Sequence, residues 1–343
     1  MKVLQVIDTF GVGGAEKVDI DLSNLLYMSG LQVAALTLLG PGKLATQLNP
    51  EIRIRSLNRR HRFDLEAART FIQMAREVDL VHVHMRHNYR YCRFFALIFN
   101  LKTPIVLHDH CGLFQIQEPW KFRYFLKPVW YIGVSQTLVA QANLAWKIAP
   151  EHTLLLSNIV FPKPFETIAS KNGIVLVSNI KPAKNQGFAI QLLTKIDSNL
   201  TLYGAIQDPV YFQELQSSII ELGLSHKIRF VEDCTEIQEV LPAFRLGLHT
   251  STAESGPLVL IEYLAQGLPF LAFDTGEVAS ILRPYFPFYF INNLDPDQWV
   301  ERIAMLLQIP PDPKKMQQVF EQHFGHKLYT EKCLSFYQRV VGC

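Results

Sequence analysis

The sequence is poor in the residues that build disulfide frameworks, zinc sites and nucleic-acid-binding surfaces. Its 343 residues include five cysteines, which are scattered and form no Cys-x-x-Cys pair. This argues against a zinc ribbon or a disulfide-rich fold and favours a reducing, cytoplasmic compartment. Lysine and arginine number 33 against 31 aspartates and glutamates. Such a balanced charge argues against general nucleic-acid binding.

Long apolar runs and several enzyme signatures are also missing. No run reaches the ~18 apolar residues of a transmembrane helix, and residues 1–8 turn polar too soon for a signal peptide. A Gly-x-Ser-x-Gly elbow and a Walker loop are absent, which disfavours α/β-hydrolases and P-loop NTPases. What remains is a globular chain, 49% hydrophobic and 19% charged, of a length that suits two domains.

Apolar strands alternate with helical patterns along the whole chain. The expected strands are 3–7, 32–38, 52–56, 80–83, 105–107, 131–134 and 153–156, then 174–178, 200–203, 228–231, 246–249, 270–272 and 288–291. Continuous apolar strands between helices indicate parallel sheets that are covered on both faces. We therefore predict an α/β protein of two doubly wound, Rossmann-like domains, with ligands bound in a cleft between them at the carboxyl ends of the strands.

The domain boundary is expected in a stretch whose apolar residues show neither helical nor strand periodicity. Residues 161–172 contain two prolines and are predicted to be a linker. An N-terminal domain would then cover 1–160, and a C-terminal domain would cover 173–326. A last helix follows at 327–343, and the sequence leaves open whether it packs back on the N-terminal domain.

One helical segment late in the chain carries two glutamates in an informative setting. Ser255 can cap a helix that Pro257 begins and Gly267 ends, so Glu254 lies just before the helix and Glu262 in its second turn. The neighbours of Glu262 are apolar, and a buried carboxylate needs a partner. A phosphate at the helix N-terminus and polyol hydroxyls on both glutamates would satisfy these groups. A buried ion pair with arginine or lysine is the alternative.

The first strand ends in a glycine-rich turn. Gly11, Gly13 and Gly14 begin a dinucleotide-binding pattern, but its third glycine position is Glu16 and no acidic residue ends the second strand. An NAD site is therefore not predicted. The backbone amides of Gly13 and Gly14 can still approach a phosphate or a sugar. The alternative is a turn that needs glycine for its geometry alone.

Histidines and one lysine follow other strands. His110 comes just after a strand, where it suits ligand contact or proton handling, unless it merely forms a turn. His82 and His84 alternate on one strand face as a metal pair would, but no third ligand at suitable spacing is evident, so we interpret them as structural. Lys184 follows the first strand of the C-terminal domain, where its charge suits a diphosphate. A solvated surface lysine is the alternative.

Together these segments resemble the retaining nucleotide-sugar glycosyltransferases of the GT-B fold, the family four group (glycosyl transferases group 1). The resemblance runs in order along nearly the whole chain, and its most specific part is the E-x7-E pattern from Glu254 to Glu262, followed by Ala-x-Gly-x-Pro. The segments that carry it are 13–16, 79–84, 104–110, 133–135, 157–158 and 254–267.

The resemblance implies a role for each matching residue. Glu254 would bind hydroxyls of the transferred sugar and Glu262 the nucleotide ribose. Lys184 would neutralise the diphosphate, and His110 would line the sugar site, so His110, Lys184 and Glu254 are the catalytic candidates. The donor-binding candidates are Gly13, Gly14, Asn179, Lys181, Ser255, Gly256, Pro257, Leu258 and Glu262.

One position departs from the family pattern. The family usually carries an arginine five residues before the lysine, and this chain has Asn179 there. Either Lys181 supplies the second positive charge or the diphosphate is stabilised less. The resemblance further implies a nucleoside-diphosphate sugar as co-substrate, retention of the anomeric configuration, no cofactor and no required metal.

The acceptor implied by the resemblance is a glycan or a lipid-linked molecule bound by the N-terminal domain, as in surface polysaccharide or glycoconjugate synthesis. The basic segment 53–62 and the aromatic and basic segment 120–130 suit an interface. We hypothesise a cytoplasmic enzyme in peripheral contact with the inner face of the plasma membrane. A solvated loop and an ordinary core helix are the alternative.

Two other functions stay open at this point. One is a nucleotide-sugar 2-epimerase of the same fold, and the other is a non-catalytic nucleotide-sugar-binding protein. The sequence does not identify the nucleotide base, the transferred sugar, or the acceptor and its linkage. It does not give the oligomeric state either.

Overall fold

The structure, a computed structural model, describes residues 1–110, 126–164, 171–309 and 312–342. The chain forms two compact units. Unit 1 comprises Met1–Ile159 and His326–Cys343, and unit 2 comprises Val160–Gly325. Each unit has one parallel sheet, of seven strands in unit 1 and six in unit 2. The predicted α/β class with two Rossmann-like domains is therefore confirmed.

Unit 1 is built on the strand order β3-β2-β1-β4-β5-β6-β7. Its strands are β1 (Lys2–Thr9), β2 (Gln32–Gly40), β3 (Arg53–Ser56), β4 (Leu80–His84), β5 (Ile105–Asp109), β6 (Trp130–Gly133) and β7 (Thr153–Leu155). Its first helices are α1 (Gly14–Met28), α2 (Leu65–Arg76), α3 (Arg86–Ile98) and α4 (Gln136–Trp146). The order reverses between β1 and β4, and the loops that follow these two strands leave a crevice at their carboxyl ends.

Unit 2 has the strand order β10-β9-β8-β11-β12-β13 and reverses between β8 and β11. Its strands are β8 (Ile174–Val177), β9 (Leu200–Tyr203), β10 (Ile228–Val231), β11 (Leu246–His249), β12 (Phe270–Phe273) and β13 (Phe290–Ile291). Its helices are α5 (Gln186–Leu192), α6 (Pro209–Glu221), α7 (Ile237–Val240), α8 (Leu258–Ala265), α9 (Gly276–Leu282), α10 (Pro296–Gln308) and α11 (Pro313–Phe324).

The last helix, α12 (His326–Gly342), belongs to unit 1 although it follows unit 2 in the chain. Its apolar face is buried, and the ring of Phe336 meets that of Trp130 edge-on at 5.8 Å. The hydroxyl of Tyr337 lies 2.5 Å from His82 Nδ1 on β4. In the part of the chain that the structure describes, no helix is long and apolar enough to cross a membrane.

Candidate functional site

Three ionisable side chains meet where β8 and β11 end in unit 2. Lys184 donates a charge-assisted hydrogen bond to Glu254, and His249 Nε2 lies 3.5 Å from Glu254 Oε1. His249 is the last residue of β11 and is buried, whereas Glu254 retains 14% of its side-chain exposure. The structure thus brings the predicted Lys184 and Glu254 together. It adds His249, which sequence reasoning missed.

The environment keeps Glu254 ionised. Burial by itself would raise the pKa of this carboxyl, but the hydrogen bond and charge of His249, together with Lys184, lower the pKa to about 2. An ionised carboxylate only accepts hydrogen bonds, so it can hold sugar hydroxyls as donors. The ammonium group of Lys184 has three N–H donors, so its bond to Glu254 leaves donors for a second anion.

Hydrogen bonds from two side-chain hydroxyls to backbone carbonyls fix the turn that carries Lys184. The hydroxyl of Thr250 donates to the carbonyls of Lys184 and Asn185 at 3.0 Å, and Ser251 Oγ donates to the carbonyl of Ala183 at 2.9 Å. Lys184 closes a 3₁₀ turn, Pro182–Lys184, that precedes α5. Asn185 takes a left-handed conformation between this turn and α5, so Lys184 lies just before the helix.

The helix after Glu254 begins one residue later than predicted. It starts at Leu258, and Pro257 occupies the cap position, so the predicted cap Ser255 lies two residues before that position. The Ser255 carbonyl accepts from the backbone N–H of Glu277 at 2.8 Å. This bond ties the loop to the start of α9.

Close packing shapes the same loop. Gly276 has φ +83°, and a Cβ there would lie 3.0 Å from Pro257 Cδ and 3.1 Å from the Glu254 carbonyl oxygen. Gly256 and Ser255 lie half-buried in the loop, and Glu262 is buried in the second turn of α8, 5% exposed. The helix N-terminus, with backbone N–H groups free of intrahelical partners, can attract an anion.

Asn179 and Lys181 lie in the loop after β8. The Asn179 side-chain oxygen accepts from the backbone N–H of Ala205 at 3.3 Å, and Gln186 Nε2 donates to the Asn179 carbonyl at 2.9 Å. Asn179 thus ties the loops after β8 and β9 together. Lys181 is half-buried at the start of the 3₁₀ turn.

The remaining predicted residues belong to unit 1. Gly14 begins α1, and Gly13 precedes it in an extended conformation with φ −167°, which any residue can adopt. A Cβ at Gly13 would lie 2.4 Å from Glu16 Oε2, the end of a flexible side chain that can move aside, so space does not by itself require glycine there. Both glycines follow β1, at the point where the strand order of unit 1 reverses.

His110 follows β5 and joins a group of buried histidines. Its Nε2 lies 3.0 Å from His84 Nδ1, and burial lowers the pKa of His110 to about 4. His82, His84 and His108 each offer a nitrogen within 4.8 Å of the others. The sequence spacing did not reveal His108 as a third neighbour of His82 and His84. His108 is 24 residues beyond His84 in the chain but pairs with it across parallel strands β4 and β5.

The basic segment 53–62 is partly packed and partly exposed. Arg59 lies over the ring of Tyr91 at 4.4 Å, and Arg62 lies over the ring of Phe63 at 5.0 Å. Phe63 is 55% exposed beside these arginines, and Leu65 is exposed as well. Of the second predicted interfacial segment, residues 120–125 lie outside the described residues.

Sequence reasoning could have found His249 from one signal. A histidine at the end of an apolar strand, five residues before Glu254, occupies the position where α/β sheets bind ligands. Its pairing with Glu254 depends on the path of the intervening loop, which no local pattern specifies.

Comparison with known proteins agrees with this architecture. Residues 161–322 match the family model "Glycosyl transferases group 1", and residues 12–160 match "Glycosyltransferase Family 4". The chain is 21% identical to the N-acetyl-alpha-D-glucosaminyl L-malate synthase of Bacillus anthracis over 308 residues, which cover 81% of this chain and 78% of that protein.

Solved structures share the whole fold. HepE of Anabaena, in complex with UDP, superposes with a TM-score of 0.80 at 19% identity over 99% of this chain and 100% of HepE. A glycosyltransferase of Rickettsia africae gives a TM-score of 0.80 at 16% identity over 99% of this chain and 98% of its own. At such identities the similarity establishes the fold.

Proposed function

Because the chain belongs to the GT-B glycosyltransferases, we propose that it moves a sugar from a nucleoside-diphosphate sugar to a glycan or lipid-linked acceptor, with retention of configuration. The observation that supports this best is the group of Lys184, Glu254 and His249 where β8 and β11 end. It lies just before the N-terminus of a helix that buries Glu262 in its second turn.

In this proposal unit 2 binds the donor. Ionised Glu254 accepts hydrogen bonds from hydroxyls of the transferred sugar, and Glu262 holds the ribose. Backbone N–H groups around Ser255, Gly256 and Leu258 face the sugar and phosphate at the positive end of α8. Pro257 contributes no N–H but shapes the turn.

The departing diphosphate needs positive charge. Lys184 contacts Glu254 and would also donate hydrogen bonds to the diphosphate. Lys181 would supply the second positive charge, because Asn179 stands where the family usually carries an arginine. We propose that this step needs no divalent metal. Adding Mg²⁺ to chelator-treated enzyme should then leave the transfer rate unchanged, and a strong increase would contradict the proposal.

Unit 1 would hold the acceptor. Gly13 and Gly14 offer backbone amides after β1, and His110 lies after β5. Retention would follow from attack on the same face as the leaving group, with a donor phosphate oxygen taking the proton of the acceptor hydroxyl.

The test is a transfer assay with identified products. HepE was crystallised with UDP and with UDP-glucose, so UDP-sugars are the first donors to try. Glu254→Ala should abolish turnover, whereas Glu301→Ala, an exposed site on α10, should not. NMR of the product should show the same anomeric configuration at the transferred sugar as in the donor.

Other outcomes distinguish the alternatives. An inverted product would contradict retention. Conversion of the nucleotide sugar without acceptor would indicate an epimerase, and nucleotide binding without turnover for any acceptor would indicate a binding protein.

We also propose peripheral membrane contact at the inner face of the plasma membrane, in surface polysaccharide or glycoconjugate synthesis. Support comes from Arg62, Phe63 and Leu65, where basic and exposed apolar side chains adjoin between β3 and α2. Phe63→Ser should weaken sedimentation with anionic vesicles. Leu144→Ser, which alters a side chain 81% exposed elsewhere in unit 1, should not. Equal losses for both variants, or no sedimentation of the wild type, would contradict it.

A further inference from the structure

Three histidines on two neighbouring strands of unit 1 form a cluster that sugar transfer does not explain. His82 and His84 lie on β4 and His108 lies on β5, and His110 follows that strand. His82, His84 and His108 are fully buried. A group of neutral imidazoles in a protein interior is unusual for packing alone, because each ring brings two polar nitrogens that need partners.

The inner nitrogens of the cluster face one another. His82 Nε2 lies 3.1 Å from His108 Nδ1, and His84 Nδ1 lies 3.0 Å from His110 Nε2. The three fully buried rings each offer one nitrogen within 4.8 Å of the other two. In a tetrahedral zinc site with Zn–N bonds of about 2.0–2.1 Å, ligand nitrogens are about 3.3–3.4 Å apart. Small side-chain shifts would bring these nitrogens to one centre.

The outer nitrogens of His82 and His84 have the partners that metal-binding histidines usually have. His82 Nδ1 lies 2.5 Å from the hydroxyl of Tyr337. His84 Nε2 lies 3.2 Å from Gln5 Oε1 and 3.4 Å from Asp19 Oδ1. A carboxylate, amide or hydroxyl oxygen in this position orients the ring and selects the tautomer whose other nitrogen carries the lone pair.

Hydrogen bonds do not complete the network among the residues that the structure describes. Nε2 of buried His108 has no hydrogen-bond partner there, and neither has Oδ2 of Asp19, which is also buried.

We propose that His82, His84 and His108 bind a divalent transition-metal ion of the zinc type. All-imidazole sites suit Zn²⁺ and related ions and do not suit Mg²⁺ or Ca²⁺, which prefer oxygen. The ion would hold β4 to β5. Through Tyr337 it would also strengthen the packing of α12 on unit 1.

The test loads the full-length, metal-stripped chain with Zn²⁺ or Co²⁺. We expect about one ion per chain by elemental analysis, a higher melting temperature, and the intense visible bands of tetrahedral Co²⁺. X-ray absorption of the zinc form should give the multiple-scattering pattern of imidazole ligands. None of these readouts requires transfer activity, so failure of the proposed function would leave the result unaffected.

Variants connect the ion to this cluster. His108→Gln should lose the bound ion, whereas His226→Gln, at an exposed position of unit 2, should keep it. Tyr337→Phe preserves the ring and removes the bond to His82, so its metal affinity should fall by about 10- to 100-fold. This variant and the wild-type absorption spectrum decide the question if His108→Gln fails to fold.

Several results would overturn the proposal. They are a stripped wild type that takes up no ion, an ion bound with equal affinity by the Tyr337→Phe variant, and a spectrum dominated by oxygen ligands. Any of these would mean that the cluster is a hydrogen-bonded histidine network only.

Discussion

At the residue scale, the donor-site proposal depends on how one carboxylate is stabilised. Glu254 is largely buried, yet His249 and Lys184 hold its pKa at about 2. An unpaired buried carboxylate would instead be driven toward its neutral form. His249 and Lys184 therefore keep Glu254 negatively charged, as a carboxylate that accepts hydrogen bonds from sugar hydroxyls must be. In the proposal, Lys184 lies where the diphosphate would bind.

This pairing makes stability depend on pH in a defined direction. The pKa of Glu254 is lower in the folded state, from 4.5 to about 2, so its contribution is present above pH 4.5 and is lost as the pH falls through about 2. We expect Glu254→Gln to cost on the order of 1–3 kcal/mol in urea unfolding at pH 7. The cost should shrink at pH 3. An equal cost at both pH values would contradict the pairing.

Lys184 is predicted to act on the leaving group. Lys184→Ala should lower kcat by about 10²- to 10³-fold, because a positive charge near the departing diphosphate is lost. Lys195→Ala, which removes an exposed lysine paired with Asp297, should leave kcat near the wild-type value. Steady-state kinetics with a saturating donor provides the measurement. A similar kcat for Lys184→Ala and wild type would remove Lys184 from the mechanism.

At the element scale, strand positions were predictable and loop geometry was not. The expected strands at 200–203, 228–231 and 246–249 coincide with β9, β10 and β11, because buried parallel strands are short apolar runs. The contact of His84 with His108 depends on which strands become neighbours, and that order is a property of the sheet. The contact of His249 with Glu254 depends on the path of the loop between them. Local patterns revealed neither.

The start of α8 illustrates the same limit. Its sequence contains a serine and a proline that suit a conventional helix start, but the loop is fixed by a backbone bond to α9 and by the close approach of Gly276. Tertiary contacts therefore fix this loop, and the cap position falls on Pro257 and not on the serine. The location of Glu262 in the second turn was predictable, since it follows from helical spacing alone.

Gly276→Ala tests how much the close packing of Gly276 against the loop before α8 matters. It combines left-handed strain with contacts at 3.0–3.2 Å to the loop that carries Glu254. Gly223→Ala is a matched control, since its φ is +68° but no atom lies within 4 Å of the added Cβ. We expect a cost of about 1 kcal/mol for the control and a larger one for Gly276→Ala. Donor KM should rise for Gly276→Ala alone, and equal effects of the two variants would contradict this.

At the scale of the whole molecule, two separate hydrophobic cores stabilise the two units. The last helix returns to unit 1, where buried Phe336 meets Trp130. Phe336→Ala should cost about 3–5 kcal/mol in unit 1, because it leaves a cavity in that core. Calorimetry should show one transition shifted to lower temperature, while nucleotide binding by unit 2 persists. Loss of both together would mean that the units unfold as one.

The central claim is that unit 2 binds a nucleoside diphosphate through α8 and Glu262, and nucleotide-dependent thermal stabilisation tests it most directly. UDP, GDP, ADP, CMP and NAD would be compared on wild type, on Glu262→Ala and on the exposed-site control Glu301→Ala. A ligand at 100 times its dissociation constant adds about 2.7 kcal/mol, which a melting curve resolves. We predict that one nucleoside diphosphate stabilises the wild type and the control but not Glu262→Ala. Stabilisation by none of them, or equal stabilisation of Glu262→Ala, would contradict the claim.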